Sequence, residues 1–239
     1  MTINYREFYG FRSTTADPAR GSDDIRLAPA GEVAPTGRGP YRRFFKRALD
    51  VTAIVLALPA VLPVVAVAAV LVARDGGSPF YTQMRVGKGG KRFRMWKLRS
   101  MVRDADERME EFLAANPEAR MEWDSTQKLK ADPRITRMGK FLRKSSLDEL
   151  PQLWNVLRGD MSLVGPRPMM ICQQSLYPGQ GYYAVRPGIT GYWQTSARNR
   201  STFEARAAFD DAYEADLSLL TDMKVLAATV GVVVHGTGY

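Results

Sequence analysis

The sequence predicts an α+β fold, mainly helical, in which a single domain carries a re-entrant membrane helix, a small β-hairpin and interfacial amphipathic helices. Three observations predict it. Val51–Ala73 runs without a charge; two short alternating segments flank a cluster of glycines; and Met101–Ala115 repeats its apolar residues at helical spacing. With 239 residues, 45% of them hydrophobic, the chain can bury one core and has an ordinary globular composition.

Residues 1–40 mix Gly, Pro, Ser, Thr and charges with no sustained apolar period and are expected to form a disordered tail. They do not form a secretory signal, because the apolar run starts too late and no small-residue cleavage site follows it. Residues 41–75 then combine a basic flank with the apolar segment. About twenty apolar residues suffice to span a bilayer, but Pro59 and Pro63 sit mid-segment, where each removes a backbone donor and favours a kink. Both flanks are basic: Arg42, Arg43, Lys46 and Arg47 before, then Arg74, Arg85, Lys88, Lys91, Arg92 and Arg94 after. The positive-inside tendency puts both on one side, which a single crossing does not satisfy. A helix that enters, breaks and returns satisfies both; a kinked span and a buried core helix are the alternatives.

Residues 76–239 form the cytosol-facing domain. Phe80–Gln83 and Lys91–Leu98 alternate well enough for two strands, connected by Gly87, Gly89 and Gly90. Met101–Ala115 reads as a helix ended by Asn116-Pro117. Pro133 and Gly139 mark a loop within a basic stretch. Leu147–Leu157 reads as a helix stopped by Gly159. Gly165-Pro166-Arg167-Pro168 and Pro187–Gly191 read as rigid turns, and Phe203–Val234 as mostly helical. Met101–Ala115, or the stretch after Phe203, is expected to lie in the lipid interface.

The formal charge of +9 asks for an anionic partner: nucleic acid, an anionic lipid surface or a phosphorylated substrate. Nucleic acid is disfavoured, since no surface of interleaved aromatics and basics is visible; Tyr182, Tyr183, Tyr192 and Trp193 sit among Gly and Pro. One cysteine, Cys172, excludes an internal disulfide and a cysteine-based zinc site; it and the lone His235 are expected to be structural.

The chemistry is expected at Asp148 and Glu149. Ser146 with Glu149 three residues on makes a capping box, and acids in a first turn complement a helix dipole. Pro151 interrupts that reading, for the helix can start there and leave both acids in the preceding turn. Two adjacent carboxylates can divide labour. One holds a magnesium ion, which takes oxygen ligands and bridges phosphates; the other attacks phosphorus. Phosphoryl transfer also needs cations, and Lys97, Arg99, Arg143 and Arg167 are the candidates.

Five ordered blocks make the pattern specific: Lys46–Asp50, Trp96–Met101, Leu142–Leu153, Asn155–Pro168 and Arg186–Gly191. On these the chain from about Tyr41 onward resembles the monotopic bacterial phosphoglycosyl transferases, and within them the stand-alone exopolysaccharide galactosyl-phosphate transferases. The resemblance implies transfer of a hexose-1-phosphate from a UDP-sugar to undecaprenyl phosphate with release of UMP, at the cytoplasmic face of the bacterial inner membrane. It implies Asp148 as nucleophile through a covalent phosphosugar-aspartyl intermediate, Glu149 as ligand of Mg2+, phosphate-binding or supporting roles for Lys97, Arg143 and Arg167, and a helix break at Pro63. Galactose is the first expectation for the sugar and glucose the second; a homodimer is left open. The family commonly has Ser where this chain has Leu62. A scaffold that has lost activity would be expected to lose the acid pair, and a direct glycosyltransferase would release UDP instead of UMP.

Overall fold

The computed structural model describes residues 39–126, 129, 131–196, 203 and 205–234; most of the expected N-terminal tail, and His235, lie outside them. A π-helical turn, Tyr41–Phe45, leads into α1 (Lys46–Ala73). β1 (Phe80–Val86) and β2 (Arg92–Leu98) form a two-stranded sheet, joined across Gly89 and Gly90, whose φ values of 64° and 75° suit glycine. There follow α2 (Ala105–Ala115), α3 (Pro117–Thr126), α4 (Arg137–Ser145), a 3-10 turn at Leu147–Glu149 and α5 (Gln152–Arg158). Then come β3 (Ser162–Val164), a 3-10 stretch at Ile171–Leu176, α6 (Gly181–Ala184), β4 (Gly188–Thr190), α7 (Tyr192–Thr195), α8 (Arg206–Ala215) and α9 (Leu219–Val234).

The chain divides into two compact units. One comprises 39–50, Met84–Phe93 and Gly159–Thr229; the other comprises Val51–Gln83, Arg94–Arg158 and the end of α9.

In the first unit, β3 and β4 run parallel, with Ser162 opposite Gly188 and Val164 opposite Thr190. The Pro187–Gly191 segment, expected only as a rigid turn, thus supplies a strand. Val164, Val185, Tyr192, Tyr213 and Val225 form one core cluster, and Val86, Met169, Tyr177, Tyr182 and Ala207 another. Each fully buried side chain of this size stabilises the fold by about 1.5–3 kcal/mol. A buried polar network joins the start of α1 to β3. Lys46 donates to Asp222 at 2.6 Å and to the Val164 carbonyl at 2.9 Å, while Asp50 accepts from the Ser162 hydroxyl and the Leu163 amide. The hydroxyls of Tyr41 and Tyr213 also donate to Asp222, at 2.6 and 2.8 Å. A charge can be held inside only when paired and hydrogen-bonded in this way.

The second unit packs the C-terminal half of α1 against β2 and α4 through Ala68, Val72, Leu98 and Leu142. α4 is the helix that the sequence reading missed. Thr136 caps it by accepting from the Gly139 amide at 2.8 Å, and Arg143 and Lys144 complement its C-terminal dipole. Gly139, expected to mark a loop, is instead inside the helix, because a Cβ there would come within 1.9 Å of the Ser100 carbonyl oxygen. Met101 forms an isolated bridge with Ile135, so the helix expected from Met101 begins only at Ala105.

α1 is helical on both sides of Pro63, the residue expected to break it. It carries large exposed apolar side chains, among them Leu56 (76% exposed), Leu62, Val67 and Val70. Together with the preceding turn it is long and apolar enough to cross a membrane. Of the two helices expected in the lipid interface, α2 turns Met109 and Leu113 inward, whereas α9 leaves Leu219, Leu220, Met223 and Val230 exposed.

Candidate active site

The 3-10 turn between α4 and α5 carries both acids. Its entry residue, Ser146, takes a left-handed conformation (φ 57°), the one non-glycine residue among those described with positive φ. That conformation ends α4, with the Ser146 amide donating to the Arg143 carbonyl at 3.2 Å, and turns the chain so that Leu147–Glu149 forms a separate turn. Ser146 makes no side-chain cap, so the capping box expected with Glu149 is absent, as is the expected continuous helix from Leu147. The proline decides the matter: Trp154 donates to the Pro151 carbonyl at 3.1 Å, and α5 starts at Gln152.

β2 aims Lys97 at this turn. Its Nζ stands 2.8 Å from Glu149 Oε1 and 3.7 Å from Asp148 Oδ2. The Asp148 side chain is 10% exposed and that of Glu149 25%, so the pair sits at the edge of a buried region with Glu149 the more open. Burial pushes the Asp148 carboxyl above its ordinary range; the charges of Lys97 and Arg143 pull it down, and that of Glu149 pushes it further up. Arg143 comes from the last turn of α4 and is oriented by Ser100, to whose hydroxyl its Nε donates at 2.9 Å. Lys97, Arg143, Asp148 and Glu149 therefore form one electrostatic group: two carboxylates on a turn, and two cations held from a strand and a helix.

The remaining candidates are placed differently. Arg99 binds both oxygens of Asp75 and donates to the carbonyls of Ser78 and Val72, which ties β2 to the chain leaving α1. Its hydrogen bonds also lower the Asp75 carboxyl's pKa. A cavity of about 280 Å³ lies beside Arg99, lined with Leu71, Val72, Met101 and Met138, and it touches neither acid. Arg167 belongs to the first unit. It is exposed on the Gly165–Pro168 turn, its guanidinium 6.0 Å from the centre of the Trp193 ring. That turn is set by close backbone approach: the Gly165 amide donates to the Thr190 carbonyl at 2.8 Å, and a Cβ on Gly191 would meet the Gly165 oxygen at 2.1 Å. Cys172 is exposed on the 3-10 stretch.

Among the described residues no group of three or more His, Cys, Asp or Glu side chains could form a protein-only metal cage. The donor set fits magnesium nonetheless, because this ion is commonly held by one or two carboxylates with substrate phosphates and water completing its shell. Glu149, the more open of the two acids, is one such carboxylate.

Residues 41–236 match the sequence profile described as bacterial sugar transferase. This chain belongs to the bacterial sugar transferase family. It is 48% identical over 198 residues to the UDP-galactose-lipid carrier transferase of Erwinia amylovora, a match that covers 82% of this chain and 42% of that protein. It is 44% identical over 211 residues to the exopolysaccharide production protein ExoY of Rhizobium meliloti, covering 87% of this chain and 91% of that one. It is 35% identical over 220 residues to the UDP-glucose:undecaprenyl-phosphate glucose-1-phosphate transferase of Escherichia coli, covering 87% and 44%. The chain thus spans less than half the length of two of these relatives and nearly all of the third.

Two partners of the candidate cations are not legible in the sequence. Ser100 orients Arg143, and Asp75 engages Arg99. Neither lies near its partner in sequence, so no local spacing could have revealed them.

Proposed function

We propose that this sugar transferase moves a hexose-1-phosphate from a UDP-sugar to undecaprenyl phosphate, releasing UMP, as the first membrane step of exopolysaccharide repeat-unit synthesis. The observation that carries the reading is the position of Lys97 against both carboxylates of the Asp148–Glu149 turn. A lone acid pair on a turn would be an ordinary surface feature. One that is partly desolvated and shares a lysine is arranged for a charged substrate.

In the first step an Asp148 carboxylate oxygen attacks the sugar-bearing phosphorus. The bond from that phosphorus to the bridging oxygen breaks, and UMP departs with the electron pair. In the second step an oxygen of undecaprenyl phosphate attacks the phosphorus of the aspartyl intermediate, and the Asp148 carboxylate is regenerated. The lipid diphosphate sugar is the product. Lys97 and Arg143 oppose the upward push that burial gives the Asp148 carboxyl and offer positive charge to the equatorial oxygens as negative charge spreads over them. Glu149, the more open acid, would hold Mg2+, which supplies further neutralisation of the diphosphate. Arg167 is assigned to substrate phosphate, and Arg99 to holding the end of β2 in place.

The acceptor joins an apolar tail to an anionic head, so transfer takes place at headgroup depth. α1, with its exposed aliphatic face and basic flanks, is read as re-entrant from the cytoplasmic side of the inner membrane, bending at Pro63; the exposed apolar face of α9 lies along the interface. Relatives named for galactose and glucose transfer support a UDP-hexose donor, with galactose preferred.

The test is nucleotide release from a panel of UDP-sugars with undecaprenyl phosphate and magnesium, for the native protein and for Asp148→Asn. UMP from one or two sugars natively, and almost none from the variant, is expected. Release of UDP, or equal turnover by both proteins, would overturn the reading.

A further inference from the structure

We propose that Asn155 is a positioning residue that acts through Lys97; this deepens the reading above and rests on it. Asn155 lies in α5, one turn past the start of the helix that follows the acidic turn, and is completely buried. Its carboxamide faces the edge of β2. The side-chain oxygen accepts from the Trp96 amide at 3.0 Å, and the side-chain nitrogen donates to the Arg94 carbonyl at 2.7 Å. Residues two apart in a strand present their amides and carbonyls to the same edge. One carboxamide therefore satisfies the donor and the acceptor that a neighbouring strand would otherwise take.

Among the described residues the sheet of β1 and β2 has two strands, and at Arg94 and Trp96 the Asn155 carboxamide stands where a third would pair. Lys97 is the next residue along. The helix that continues from the Asp148–Glu149 turn thus grips the strand that carries the lysine, immediately before the lysine itself. Asn155 sets the register between the two, and with it the separation of Lys97 Nζ from the two carboxylates. A shift of this kind of about 1 Å in a catalytic group can cost on the order of 100-fold in rate.

A double-mutant cycle distinguishes this role from general support of the core. UMP release is measured at high enzyme concentration for Asn155→Ala and Asn155→Asp, each in the native and the Lys97→Met backgrounds, with thermal unfolding as the check on folding. Asn155→Asp fills the same space and keeps the acceptor for Trp96. Val156→Ala, at a neighbouring buried site in α5, serves as the comparison. In the native background the Asn155 variants are expected to lose about 10- to 100-fold in turnover. In the Lys97→Met background they should lose less than about twofold more, while Val156→Ala shows no such dependence on Lys97. Equal losses in both backgrounds, the same coupling for Val156→Ala, or failure of both Asn155 variants to fold would overturn the proposal. These outcomes are separate from the parent reading, which falls only if Asp148→Asn remains active or UDP is released.

Discussion

Gly139 lies flat on the backbone of Ser100, so close that a side chain of any size would strike its carbonyl oxygen. The same serine receives the Thr136 amide on its carbonyl and the Arg143 guanidinium on its hydroxyl. Helix and strand end are thus clamped at one point, four residues before a cation of the site. Gly139→Ala should destabilise the protein by at least about 2 kcal/mol, since the obstacle is backbone and cannot rotate away. Urea unfolding in detergent measures it, and an unchanged midpoint would contradict the packing.

Replacing Lys97 tests the electrostatics of the acidic turn. Lys97→Met should lower UMP release by about 100- to 1000-fold, the usual scale for removing one charge-stabilising donor. Lys97→Arg should retain more activity than Lys97→Met, because it keeps the charge. Turnover within twofold of native for Lys97→Met would remove the lysine from the reaction.

Asp210 gives the stability of the first unit a pH dependence. It accepts from the Tyr177 hydroxyl at 2.8 Å and stands 3.5 Å from Arg206, and burial raises its carboxyl from 3.8 to about 6. The folded state therefore holds a proton that the unfolded chain has already released across this interval. Stability contributed by this group should fall as pH rises from about 4 to 6 and then level off. Melting temperatures of the native protein and of Asp210→Asn, compared from pH 4 to 7, should converge or diverge across that window alone. Parallel curves would refute the assignment.

The Lys46–Asp222 pair should behave as a buried ion pair at the root of α1. Lys46→Met leaves Asp222 charged and enclosed, at a cost of roughly 3–5 kcal/mol. Lys46→Met combined with Asp222→Asn should recover part of that loss, because the uncompensated charge is gone while the tyrosine hydroxyls keep a partner. Chemical denaturation of the three proteins decides it; a double variant no better than the single one counts against the pair.

What could be read from the sequence was what repeats locally. The uncharged run gave α1, the glycines gave the hairpin, apolar periodicity gave α2, and the stretch after Phe203 was legible as mostly helical, as α8 and α9 are. Asp148 and Glu149 were legible as a pair, and Pro151 already hinted that the helix would start after them, as it does. The misreadings share a cause. Gly139 signals a turn by propensity but is required in a helix by the backbone of Ser100, thirty-nine residues away in sequence, which no local pattern announces. Arg99 looks like Lys97 in the sequence, two positions apart at the end of β2 and just past it, yet one meets Asp75 and the other the acidic turn. Only the fold assigns the partners. β3 and β4 are too short to show alternation, and their pairing depends on glycines that read as turn residues.

The outward aliphatic face of α1 has a practical consequence. Leu56, Leu62, Val67 and Val70 together present more oil than water tolerates on a separate molecule. Extraction without an amphiphile should drive copies into aggregates, and activity in any preparation should follow how well detergent or nanodisc covers those side chains.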